Sequence, residues 1–203
     1  KKYESGEITE PIRIKACVTG PLELYFKEVG FEVYTDMASS FAKSINAFLK
    51  NSIVDEPYMK TEVVSIDEPS LGYVTITNTT EEEMIGVYDE AVSGIDVDVQ
   101  IHLHSLNSFK VPLQTQNVDV LTCEFASNPQ NVIDKKYLDQ YDKFMRVGVC
   151  RTNINAIMAG EIESGQSYSN LNTIEGLKTL IDSEARIKKN LKTAIEHYGN
   201  RLS

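Results

Sequence analysis

Little in this chain points toward a membrane, a charged polymer or a disulfide framework. Its 203 residues contain no apolar run near the roughly 20 that a membrane-spanning helix requires, and the opening from Lys1 to Pro11 is too polar for a secretory signal; the expectation is a cytoplasmic protein with no membrane partner. Positive charge is in short supply, 20 Lys and Arg against 30 Asp and Glu for a net charge of −10, and no basic cluster is interleaved with aromatics, so nucleic acid is not an expected partner. Cysteine is sparse as well. Cys17, Cys123 and Cys150 are odd in number, widely spaced and each set in an apolar run, a pattern of buried thiols or a metal ligand rather than of disulfides. With 11 Gly, 6 Pro, 41% hydrophobic and 25% charged residues, the chain is neither collagenous nor disordered, and residues 1–203 are expected to form one α/β domain around a sizeable core.

What is present is an alternation of strand and helix signals. Ile12–Val18, Val63–Asp67, Val97–His104, Val118–Glu124 and Met145–Cys150 are short runs rich in Val and Ile, with helical periodicity between most of them, which predicts a parallel sheet. Asp36 to Leu49 carries Met37, Phe41, Ile45, Phe48 and Leu49 at helical spacing behind a Thr35 or Asp36 cap. Thr79 with Glu82 reads as a capping box for a helix running to about Ser93, stopped by Gly94. Val132 to Phe144 predicts a third helix, and Thr173 to Tyr198 one or two more, with a break near Asp182-Ser183 and Gly199 as the stop; Ile157 to Asn172 reads as a loop. Five clear strands in this rhythm, with another due after the last helix, predict part of an eight-stranded (β/α) TIM barrel whose first and last strands are missing.

Polar residues gather where the predicted strands end: Thr19-Gly20-Pro21, Asp67-Glu68-Pro69, His102 and His104, Glu124, and Arg151-Thr152-Asn153. In a parallel barrel those ends form one face, and active sites lie there. His102 and His104 are two of only three histidines; spaced by two along a strand, their side chains project the same way, and with Glu124 they form a His-X-His plus carboxylate set suited to zinc. The same imidazoles would equally serve as hydrogen-bonded core residues paired with Glu124 or Asp67. Cys123 and Glu124 are adjacent and so face opposite sides, which leaves the carboxylate to share a face with the histidines. Asp67-Glu68 reads either as a paired carboxylate that binds an amino group or acts in proton transfer, or as a capped, solvated turn. His197, near the end of a polar helix, is expected to be solvated.

Cys17-Val18-Thr19-Gly20-Pro21, Ser65-Ile66-Asp67-Glu68-Pro69-Ser70-Leu71, Ile101-His102-Leu103-His104-Ser105, Leu121-Thr122-Cys123-Glu124 and Val147-Gly148-Val149-Cys150 together resemble, in order and spacing, the C-terminal catalytic barrel of the cobalamin-independent methionine synthase family and its short archaeal relatives. The resemblance runs from about Ile12 to Asn155. It implies a zinc-dependent transfer of a methyl group to the thiol of homocysteine, from methyltetrahydrofolate or, as in the short relatives, a corrinoid or corrinoid protein. It implies His102 and Glu124 as zinc ligands with His104 in the place of the family's Cys, Asp67 (with Glu68 and Thr19) as substrate-binding, and Asn153 where the family has a proton-relaying histidine. The family's second Cys ligand belongs to a Pro-Asp-Cys-Gly motif of the next strand; Cys150, on a neighbouring strand, is the substitute within reach. The replacement of two reactive groups keeps two other expectations open: a different thiol methyltransferase of the same superfamily, acting for instance on coenzyme M, and a non-catalytic ligand-binding relative.

Overall fold

The computed structural model describes residues 2–7, 9–73, 76–150, 153–181 and 184–203, the side chain of Ile181 excepted. The strand runs fold as strands because their residues sort by period two. On β3 (Met59–Asp67), β4 (Asp98–Leu103) and β5 (Val120–Cys123), alternate residues Val64, Ile66, Val99, Ile101, Leu103, Leu121 and Cys123 are buried in one apolar cluster. β1 (Ile12–Thr19) lies beside β3, and the order β1-β3-β4-β5, with β6 (Phe144–Val147) at the end, is parallel throughout. A two-residue strand, β2 (Asp55–Glu56), turns back antiparallel on the start of β3. Beyond β6, Leu202 makes a single parallel bridge to Met145, with the Ser203 amide donating to the Met145 carbonyl at 2.9 Å. The sheet is open, and the fold class is the expected one: α/β, an incomplete barrel.

Helices cover the apolar face. α1 (Pro21–Glu28), which sequence periodicity did not reveal, follows β1 at once, and α2 (Thr35–Ser52) extends the expected Asp36–Leu49 helix and buries Ala38, Ala42, Ile45 and Leu49. α3 (Glu81–Ala91) is capped one residue later than expected. Thr80 is the cap and Glu83 its partner, the Thr80 amide donating to Glu83 Oε2 at 2.8 Å and the Glu83 amide to Thr80 Oγ1 at 3.2 Å; the sequence Thr-Thr-Glu-Glu-Glu satisfies both registers, and the structure takes the second. α4 (Lys110–Gln114) precedes β5. α5 (Lys135–Tyr141) is shorter than the expected Val132–Phe144: Asp134 caps its start, Asp142 at φ 53° ends it, and Phe144 already belongs to β6.

The expected loop over 157–172 is largely helical. α6 (Ile154–Glu163) and α7 (Tyr168–Leu171) bury Ile157, Met158 and Leu171 against Leu180 of α8 (Ile174–Ile181), forming a small second core, and apolar spacing outweighs the Gly, Ser and Asn content. α9 (Glu184–Tyr198) joins the main core through Ala194 and Tyr198. The expected break at Asp182-Ser183 lies outside the described residues, as do Arg151 and Thr152. His197 is not merely solvated, since its Nε2 meets the Ile133 carbonyl at 2.8 Å. Among the described residues no helix is long and apolar enough to cross a membrane.

Candidate metal and amino-group site

The strand register sets the site. Thr19 pairs with Asp67, Asp67 with His102, His102 with Thr122 and Thr122 with Arg146, so these five residues form one row across the sheet at the carboxyl ends of its strands. Residues paired in a parallel sheet share a face, and this row lies on the face opposite the helix-covered core. His104 and Glu124 lie two residues beyond His102 and Thr122, hence on the same side. Cys123, their neighbour on the core side, is buried, and burial pushes its thiol up to about 12.

His102, His104 and Glu124 converge: one ligand atom from each lies within 4.8 Å of the others, with the two imidazole centroids 5.3 Å apart and His104 Nε2 4.0 Å from Glu124 Oε1. Among the described residues no other set of three His, Cys, Asp or Glu side chains meets in this way. Burial holds His102 below the usual imidazole value, against the opposing pull of the Asp67 and Glu124 charges, so its ring is neutral near pH 7 and keeps a lone pair for a metal. The His104 and Glu124 side chains are 42% and 51% exposed. A tetrahedral zinc separates its ligand atoms by roughly 3.4 Å, given bonds of about 2.1 Å. Two half-exposed side chains can turn through the remaining ångström or so, and the donor set of two neutral nitrogens and one carboxylate oxygen suits that ion.

Asp67 is half-buried, and its Oδ1 accepts a hydrogen bond from Ser65 Oγ at 3.1 Å. Thr19 is exposed beside it in the row. Glu68 departs from the expected pair. Adjacent strand residues face opposite sides, so Glu68 points into the core, fully buried, where its oxygens accept the amides of Leu22 at 3.0 Å and Glu23 at 2.8 Å in the first turn of α1. Burial, opposed by those two amides, carries its carboxyl up to about 8. The Tyr88 hydroxyl, itself buried and without a well-formed hydrogen bond, is close enough for the two groups to perturb one another. Glu23 answers from the other side: its Oε2 accepts the Ser70 amide at 3.1 Å and its Oε1 pairs with Lys27 at 3.1 Å. Glu68 thus anchors the end of β3 to α1.

Asn153 also has a structural duty. Its side-chain oxygen caps α6 by accepting the Ala156 amide at 3.1 Å. Cys150 is exposed and stands outside the His102–His104–Glu124 group, and Cys17 is exposed on the polar sheet face instead of buried as expected. Sequence reasoning passed over Ser65, Gln100 and Arg146. Their signal was available: Ser65 and Gln100 are polar interruptions of apolar runs, two residues before Asp67 and His102, and are 0% and 2% exposed. At the β5–β6 end of the row, an open cavity of about 310 Å3 is lined by Thr122 and Arg146 of the row together with Lys15 and Gln100 among others.

Fold and site together define an α/β barrel segment that presents a His-His-carboxylate set and a neighbouring aspartate at its strand ends. No family model matches the chain. In sequence it is similar to methionine synthase from Methanocaldococcus jannaschii, 24% identical over 205 residues that cover 96% of this chain and 59% of that protein. In fold it is similar to a B12-independent methionine synthase from Shewanella sp. W3-18-1, solved in complex with selenomethionine, at a TM-score of 0.53 and 15% identity over 99% of this chain and 56% of the other. The chain therefore spans somewhat more than half the length of each.

Proposed function

We propose that this chain carries the metal and amino-acid site of a zinc-dependent methyltransferase that methylates the thiol of homocysteine to give methionine. The observation that carries the reading is the convergence of His102, His104 and Glu124 at the end of β4 and β5, with Asp67 next to His102 in the strand register. His102, His104 and Glu124 would hold zinc, whose contribution is to keep a bound thiol deprotonated near neutral pH, the form that displaces a methyl group from its donor. Asp67 supplies an anion for the substrate's ammonium group, and Thr19 a hydroxyl on the far side of Asp67. The methyl donor in this reading is a methylcorrinoid or methyltetrahydrofolate. The net charge of −10 favours the corrinoid, because an acidic surface does not draw in a polyglutamate tail.

The test is metal content followed by transfer. About one zinc per chain, lost in His102→Ala, with methyl transfer from methylcobalamin or 5-methyltetrahydrofolate to homocysteine in preference to coenzyme M, supports the proposal. Full activity of the metal-free protein overturns the zinc reading, and preference for coenzyme M overturns the acceptor. One observation favours a second reading, a non-catalytic amino-acid or thiol binder: the Asn153 amide is spent on a helix cap and offers no titratable group. Calorimetric binding of homocysteine without methyl product from either donor would select it.

A further inference from the structure

A chain of hydrogen bonds joins residues of β6, β4 and β3, reaching over β5, and ends on Asp67. Arg146 Nη1 on β6 donates to Gln100 Oε1 on β4 at 3.2 Å; Gln100 Nε2 donates to Ser65 Oγ on β3 at 3.0 Å; Ser65 Oγ donates to Asp67 Oδ1 at 3.1 Å. Every link runs the same way. A guanidinium can only donate, a carboxylate only accepts, and the serine has one proton, so the cation at one end and the anion at the other impose a single direction on the two neutral groups between them. The middle of the chain is out of water, with Ser65 0% and Gln100 2% exposed, and Arg146 is itself held by Asp98 through Nη2. In such surroundings aligned hydrogen bonds reinforce one another and an unmatched one is costly.

We propose that Ser65, Gln100 and Arg146 are positioning residues that orient the Asp67 carboxylate, engaging one of its oxygens and leaving the other to receive the ammonium group of an amino-acid thiol. The proposal rests on the reading of Asp67 as the amino-group site and deepens it. It also accounts for two buried polar side chains in strands whose neighbours are Val and Ile. The chain acts through Asp67 alone, so it discriminates between substrates with and without an amino group while leaving the thiol and the donor untouched.

The experiment compares homocysteine with 4-mercaptobutyrate, the same thiol acid without its amino group, in the intact protein and in Ser65→Ala, Gln100→Met and their combination. The expected result is a five- to ten-fold rise in the homocysteine KM, kcat within two-fold, an unchanged KM for 4-mercaptobutyrate, and a double variant no worse than either single one, since a chain is broken equally at any link. A parallel rise for both thiols, or additive effects, overturns the proposal. A second measurement does not depend on turnover: the Gln100 side-chain amide protons, followed by NMR in the ligand-free protein, shift in Ser65→Ala and in Asp67→Asn. An indifferent Gln100 amide overturns the chain outright. A responsive amide in a protein that methylates neither thiol upholds the chain and rejects the homocysteine reading instead.

Discussion

Replacing Gly20 by alanine should damage this protein for a reason confined to one contact. The Gly20 backbone has φ −73° and ψ 162°, which any residue adopts, so alanine introduces no backbone strain. Its Cβ, however, would stand 2.0 Å from Glu68 Oε1, 2.2 Å from Cδ and 2.6 Å from Cγ. Glu68 is fully buried and held by the Leu22 and Glu23 amides, so it cannot swing into solvent. Displacing it sacrifices two hydrogen bonds at about 1 kcal/mol each and adds the 1–3 kcal/mol typical of overpacking, about 3–5 kcal/mol together. That is a large share of the roughly 5–15 kcal/mol a folded domain has. Urea unfolding of Gly20→Ala, Glu68→Ala and the double variant measures it. With the carboxylate gone, the added methyl meets open space, and Gly20→Ala should then cost about 1 kcal/mol or less, the ordinary difference between these residues at a helix N-cap. Equal losses in both backgrounds, to within about 0.5 kcal/mol, would refute the contact as the cause.

Three further outcomes follow from the site. Because Glu68 is raised to about 8 in the folded protein from an ordinary 4.5, the native state holds a proton the unfolded chain has released; stability is greatest below the ordinary value and falls as pH rises toward 8, so the urea midpoint should drop between pH 5.5 and 8.5, and Glu68→Gln should flatten that slope. His104→Ala and Glu124→Ala should each weaken zinc by more than the roughly 10–100-fold that changes behind the ligands cost, read by competition with a chromogenic chelator, whereas Cys150→Ala should leave affinity unchanged. Asn153→Ala should cost about 1 kcal/mol as a lost cap, with Asn153→Asp restoring it; a hundred-fold fall in transfer at unchanged stability would instead make the side chain a participant in the chemistry.

The strands and the convergence of His102, His104 and Glu124 were legible because period two acts on them directly. Val99, Ile101 and Leu103 seek the core, His102 and His104 must then share the other face, and the rule that parts Cys123 from Glu124 puts Glu124 with them. The same rule, applied to Asp67 and Glu68, separates that pair as well, and the structure obeys it: Asp67 takes the polar face and Glu68 the core. A buried carboxylate is costly unless something donates to it, and the donor is α1, a helix of eight residues too short to announce itself by periodicity. Its start nevertheless carries a signal. Gly20-Pro21 supplies a helix opening with no side-chain cap, leaving first-turn amides in need of an acceptor from elsewhere in the chain. The glycine without a cap and the glutamate without a partner are two halves of one contact, 45 residues apart between Glu23 and Glu68. Local propensity sees each as an ordinary loop residue, and only the register of β1 against β3, which sets Thr19 beside Asp67, brings them together.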